Sequence, residues 1–203
     1  MVDEEWTPRE RMVYSTAQLV RAQGVTATGV RDVIAHSGAP RGSFQHYFPG
    51  GKDQLVGEAL LWSGDFAASW VRAYAETARK PTPSGLFAHM ASQWQIEFRS
   101  RGFERGCPVM ATAADIAASE SAVIEQLRFA LTRWEHAITA ELAEMGVPKR
   151  RAPRLATLML SALEGAIMLA RVHRDVGPLA TIVADLGPLL DADVTSVQQR
   201  PTS

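Results

Sequence analysis

The sequence is poor in several features that would each mark a different kind of protein. It has one cysteine, Cys107, in 203 residues, so no disulfide can close within the chain. Its opening residues, Met1-Val2-Asp3-Glu4-Glu5, are acidic and lack the basic and then apolar layout of an export signal. Both absences point to the cytoplasm. The most apolar run, Ala156 to Ala170, is short for a bilayer crossing and contains Glu164, so no membrane partner is expected. The five histidines, His36, His46, His89, His136 and His173, show no metal-ligand spacing with one another or with Cys107. No Ser–His–Asp arrangement and no phosphate-cradling glycine loop can be read, and no cofactor or metal is expected. Runs of alternating Val, Ile or Thr are missing too, which argues against a sheet.

What is present is an ordinary globular composition, with 46% hydrophobic and 21% charged residues. The formal net charge of −1 argues at first against a nucleic-acid partner, because phosphate binding needs clustered Lys and Arg. The total hides the distribution. Residues 21–52 carry Arg21, Arg31, Arg41 and Lys52 against Asp32 alone, a local excess of +3. A second cluster, Lys149, Arg150, Arg151 and Arg154, follows a Gly-Val-Pro turn and reads as a solvated helix start.

The apolar residues repeat at helical spacing throughout, so the chain reads as all-α. A first helix is expected from Thr7-Pro8 to Ala22, stopped by Gly24, then short helices over Gly29–Ser37, capped by Thr28, and Pro40–Tyr47. A long stripe, Leu55, Ala59, Trp62, Phe66, Trp70 and Ala73, predicts a connecting helix from Lys52 to the Pro81-Thr82-Pro83 break. Further helices are expected over Ser84–Arg101, Met110–Ala118, Ser121–Met145, Ala152–His173 and Pro178–Leu190. The segment 152–173 is apolar nearly all round, so one face belongs to the domain's own core and another needs a partner. These elements divide into a module of residues 1–51, a larger helical domain of residues 52–191 and a polar tail of residues 192–203.

Residues 26–55, with a tight turn at Ser37-Gly38, a second helix of about two turns, and Phe48 and Lys52 just before the connecting helix, resemble the DNA-binding signature of the TetR family of transcriptional regulators. Gly38 supplies a backbone conformation that a Cβ resists, so the second helix can cross the first steeply. Arg41, Ser43, Gln45 and His46 then carry donors and acceptors toward a major groove, while Val30, Val33 and Phe44 face inward. Gly42, beside Pro40, lets the backbone approach closely. Thr28 at a helix start, Lys52 and the basic Arg31 can hold phosphates, and the resemblance assigns backbone contacts to the Tyr47 and Lys52 positions. Two positions depart from the family's pattern: Gln45 stands where an aromatic residue is common, and Ile34 where alanine is usual.

The resemblance also implies an N-terminal three-helix helix-turn-helix domain and a C-terminal domain that encloses an effector pocket and forms a homodimer through its last two helices. Pro49-Gly50-Gly51-Lys52, Gly106-Cys107-Pro108-Val109 and Leu163-Glu164-Gly165-Ala166 look like repressors that sense drugs or flavonoid-like aromatic molecules. Trp62, Phe66, Met90, Trp94, Phe98, Cys107, Met110, Trp134 and Met168 offer the aromatic and deformable walls that a flat apolar effector needs, with Glu164 as a polar anchor or as a partner of Arg171. The expected protein is a homodimeric repressor that binds a palindromic double-stranded operator and is released by a small apolar or aromatic effector. The rival reading is a helical enzyme acting on small aromatic molecules through Cys107 or Glu164, which leaves the basic module without a use.

Overall fold

The structure, a computed structural model, describes residues 6–116 and 123–198. Among them are nine helices and no strand. The helix α1 (Pro8–Ala27) starts at a reciprocal cap. The Glu10 amide donates to the Thr7 hydroxyl, and Glu10 Oε2 accepts from the Thr7 amide at 2.8 Å. Gly24 does not end this helix. It sits at φ +82° and kinks it, and a further turn, Val25–Ala27, follows.

The helix α2 (Val30–Ser37) ends at Gly38, whose φ of +63° is left-handed; space around it is open, so the dihedral rather than crowding calls for glycine. Its N-cap is Gly29, with the Gly29 amide donating to Asp32, and not Thr28 as the sequence suggests. The helix α3 covers only Phe44–Tyr47. Pro40–Ser43, expected inside it, is instead a turn closed by the Ser43 amide and hydroxyl, both donating to the Pro40 carbonyl at 3.0 and 2.7 Å. Glycine at position 42 weakens helix there.

The remaining helices are α4 (Gly51–Thr77), α5 (Pro83–Arg101), α6 (Pro108–Ile116), α7 (Val123–Glu144), α8 (Ala152–His173) and α9 (Gly177–Gln198). The expected end of α6 at Ala118 and start of α7 at Ser121 lie outside the described residues, as do Met1–Glu5 and the end of the tail. α9 continues past Leu190 to Gln198 despite Pro188 within it. Asp191 anchors the helix just past its expected end. Its carboxylate accepts from the Ser84 amide at 2.9 Å and from the Ser84 hydroxyl at 2.6 Å, tying α9 to the first turn of α5.

The chain forms two compact units: Met1–Phe66 with Arg105–Thr132, and Ala67–Glu104 with Arg133–Ser203. In the first, α1 packs on α2 and on α6; in the second, α5, α8 and α9 pack together. α8 as a whole is long and apolar enough to cross a membrane by length and composition alone, but 44% of that apolar window is buried within the protein, as in a core helix. Leu155, Met159, Leu163, Ile167 and Ala170 make its inner face.

Candidate nucleic-acid interface

The first unit is built around Phe48, which is completely buried among Met12, Val13, Ala17, Val33, Ala39, Leu55 and Ala59. Ile34, Phe44, Tyr47 and Trp62 pack half-buried against this cluster. Ile34 thus covers the core with a larger side chain than the alanine common there. Phe44 lies 5.6 Å from Phe48, ring centre to ring centre. A four-residue helix cannot hold itself in water, so its orientation is set by these two aromatic anchors. Val33 is buried and Val30 half-buried, in line with the inward face expected of α2.

Anchoring Phe44 inward turns its neighbours outward. Arg41, Gly42, Gln45 and His46 are exposed, and Tyr47 is half-buried with its ring 5.0 Å from that of His46. Pro40 is exposed at the start of the same turn. Among the described residues the Arg31 and Arg41 guanidinium groups have no hydrogen-bond or ion-pair partner, so both exposed cations are available to an anion. Gln45 reaches back toward the Pro49 carbonyl at 3.5 Å, a bond weak enough to exchange. Ser43 differs from expectation in spending its hydroxyl on the Pro40 carbonyl.

Thr28 requires a larger correction. It is buried, its hydroxyl donates to the Gly24 carbonyl at 2.6 Å and its amide to the Val25 carbonyl at 3.2 Å, so the side chain expected at a phosphate is turned into the protein. Lys52, half-buried in the first turn of α4, directs its ammonium toward the Thr26 carbonyl at 3.5 Å. Two supports were not foreseen, since each joins residues far apart in sequence. Arg9 lies over the Phe48 ring at 5.6 Å and pairs with Glu58 at 2.6 Å, and His36 Nδ1 lies 2.9 Å from the buried Ser15 hydroxyl.

The residues expected to line an effector pocket fall in both units. In the first, Trp62 and Phe66 stack at 5.6 Å, Phe66 is exposed, Cys107 is buried and Met110 is half-buried. Trp62 also packs on α1, its ring 5.5 Å from that of Tyr14. In the second, Met90, Trp94, Phe98 and Trp134 are buried, Glu164 is half-buried and Met168 is exposed. Trp94 and Phe98 lie 5.9 Å apart, and Phe98 stacks on Phe103 at 5.0 Å. Arg171, suggested as a partner for Glu164, donates to the carbonyls of Phe103 and Glu104. Among the described residues no group of three His, Cys, Asp or Glu could hold a metal ion.

Residues 15–59 match the family described as bacterial regulatory proteins of the tetR family, and residues 83–185 match the C-terminal domain of LmrA/YxaF-like transcriptional regulators. An HTH-type transcriptional regulator of Mycobacterium tuberculosis is 38% identical over 192 residues, covering 92% of this chain and 96% of that protein. The chain belongs to the TetR family. The HTH-type transcriptional regulator YxaF of Bacillus subtilis is 30% identical over 187 residues, 90% of this chain and 94% of that one. A TetR transcriptional regulator from Legionella pneumophila, at 16% identity, shares the fold with a TM-score of 0.79 over 93% of this chain and all of that one. As a TetR-family protein the chain is an all-α DNA-binding transcriptional regulator and not an enzyme, and this displaces the rival reading built on Cys107 or Glu164.

Proposed function

We propose that this regulator is a repressor that binds a palindromic operator as a homodimer in the cytoplasm and is released by a small apolar or aromatic effector. The observation that carries the reading is the short helix α3, clamped from inside by Phe44 and Phe48 while Arg41, Gln45 and His46 stand outside. Arg41 forks onto a guanine edge or a phosphate, Gln45 reads an adenine, and Arg31, Tyr47 and Lys52 hold the backbone. Two such readers fit one face of a duplex when their half-sites are roughly 34–36 Å apart or a multiple of that.

The outer face of α8 supports the homodimer. Leu158, Met168, Leu169 and Val172 are exposed along it, with the small, exposed residues Ser161 and Gly165 between Leu158 and Met168. A Cβ at Gly165 would meet nothing within 4 Å, leaving room for a second helix. Such a stripe is unusual on a surface that stays in water, and a twin copy of α8 and α9 covers it.

The buried aromatics of the second unit support the effector. Trp134 is 5% exposed, and its indole N–H has no hydrogen-bond partner among the described residues. An unpaired buried donor costs about 1–3 kcal/mol, which an effector carrying a carbonyl or phenolic oxygen recovers. Within that unit Met90, Trp94 and Phe98 are retained as walls and Glu164 as anchor. A ligand releases DNA only through its preference for the unbound geometry, and a thousandfold loss of operator affinity requires a difference of about 4 kcal/mol.

The deciding experiment is a gel shift with the DNA beside the protein's own gene, followed by aromatic compounds screened by thermal shift and then by release of that DNA. A retarded band lost on adding a stabilising compound is expected. No retardation at micromolar protein and low salt refutes operator binding at that DNA, and stabilising compounds that leave the band in place refute release.

A further inference from the structure

The kink at Gly24 creates a problem that a distant residue solves. Breaking α1 there leaves the turn Val25–Ala27 with a helix start of its own, whose first amides have no carbonyl behind them within the helix. Asp115, near the end of α6, supplies the acceptor. Its Oδ2 accepts from the Thr26 amide at 2.6 Å and its Oδ1 from the Thr26 hydroxyl at 3.1 Å. A Cβ on Gly24 would lie 3.1 Å from the same Oδ2, so the glycine also makes room for the carboxylate. The Thr26 amide above all, then the Thr26 hydroxyl, the Val25 amide and the Lys52 charge, hold the Asp115 carboxyl below the usual carboxylate range.

This contact is not isolated. The carbonyl of Thr26 faces the Lys52 ammonium at 3.5 Å, and Thr28, two residues on, leads directly into α2. At the other end of α6 the Gly106 amide donates to the Arg21 carbonyl at 2.9 Å, while Arg21 Nε donates to the Gly106 carbonyl at 2.8 Å. The last two turns of α1 are therefore gripped on either side of the kink by residues 106 and 115, which belong to the same compact unit as the reader.

We infer that Asp115 is a positioning residue for DNA binding: from α6 it caps the turn after the Gly24 kink, and so fixes the entry to α2 and the Thr26 carbonyl against which Lys52 is held. The inference rests on the reading of Lys52 as a phosphate contact and goes beyond it in assigning the residue that holds the contact in place.

The test uses the full-length protein and a fluorescein-labelled duplex of arbitrary sequence, whose binding at low salt reports phosphate contacts without knowledge of the operator. Two readers in a dimer make Lys52→Ala a loss of two phosphate contacts, which lowers the salt slope by about 1.8 at about 0.9 each. Asp115→Ala is expected to weaken binding about ten-fold or more with the same fall in slope, and the double variant to add nothing to either. Asp115→Asn keeps an acceptor for the Thr26 amide and is expected to recover most of the affinity. In the wild type the Thr26 amide proton, followed by NMR, is expected to titrate at a pH below the usual aspartate range, a signature that does not depend on whether the alanine variant folds.

Asp115→Ala with wild-type affinity and slope, beside a Lys52→Ala protein with a reduced slope, overturns the inference alone. If Lys52→Ala changes nothing, the phosphate contact of Lys52 falls. Asp115 then stands on the affinity loss and its rescue by asparagine, and is overturned by wild-type affinity. A Thr26 amide that titrates in the ordinary aspartate range, or does not respond to acid at all, overturns it as well.

Discussion

Replacing Arg41 by alanine separates two ways in which an exposed cation can serve a DNA-binding module. Arg41 lies in the Pro40–Ser43 turn ahead of α3, exposed and without an ion-pair partner among the described residues, so its removal leaves no buried charge behind and costs the fold little. A fork onto guanine is worth about 1–3 kcal/mol for each reader. Two readers raise this to about 2–6 kcal/mol, a loss of about 30-fold to about 20,000-fold in operator affinity. A phosphate contact behaves differently. It lowers the salt slope by about 1.8 for the pair, which over a four-fold change in salt is about twelve-fold, and does so for every sequence. Fluorescence anisotropy with the DNA beside the protein's own gene and with a scrambled duplex, each at several salt concentrations, reads both effects at once. The expected result is a greater loss on the native DNA than on the scrambled duplex, so that selectivity contracts. Wild-type affinity, selectivity and slope in Arg41→Ala would refute the reasoning that an exposed turn before α3 meets DNA.

Four further outcomes can be checked. Phe48→Ala removes the fully buried hub and the ring beneath Arg9, and is expected to cost about 3–5 kcal/mol in denaturant unfolding and to abolish DNA binding; unchanged stability would deny Phe48 its central place. At Gly38, with φ +63° and open space around it, Gly38→Asn is expected to be tolerated while Gly38→Val costs about 1–2 kcal/mol, and equal melting temperatures would contradict the dihedral argument. Leu169→Glu with Val172→Glu places two charges on the exposed face of α8 and is expected to yield monomers in sedimentation at micromolar concentration; an intact dimer would move the interface elsewhere. Burial first, then Glu144 and Glu76, push the Glu141 carboxyl above its ordinary value against the pull of Arg72. A raised acid is penalised when ionised, so Glu141→Gln is expected to stabilise the protein at neutral pH, with the gain fading as pH falls through the ordinary glutamate range; a gain that persists in acid refutes the cause.

Much of the reader was legible because its determinants are local. Thr7 before Pro8 marks the start of α1, Gly38 marks the end of α2, and Phe44 among polar neighbours marks which side of α3 turns inward. The errors are equally local in origin. Thr28 looks like a cap in sequence, but once Gly24 kinks α1 instead of ending it, the threonine hydroxyl finds the Gly24 carbonyl and Gly29 takes over the cap. Pro40–Ser43 could continue a helix on paper, yet the Ser43 hydroxyl and amide both close back on Pro40. The aromatic residues assigned to one pocket show a different limit. Trp62 and Trp94 have similar stripes around them, and periodicity reports that each faces inward without reporting which unit it enters.

The sequence by itself determined the all-α class, the place of the short helices on either side of Gly38 and the residues on their outer side, because helical periodicity, glycine dihedrals and capping act over a few residues. Tertiary structure alone decided that Asp115 reaches Thr26 across 89 positions, that Arg9 covers Phe48, and that Asp191 grips Ser84 across 107. A charged side chain is free to choose any donor that folding brings near it. That choice depends on how helices pack and not on the spacing of residues along them.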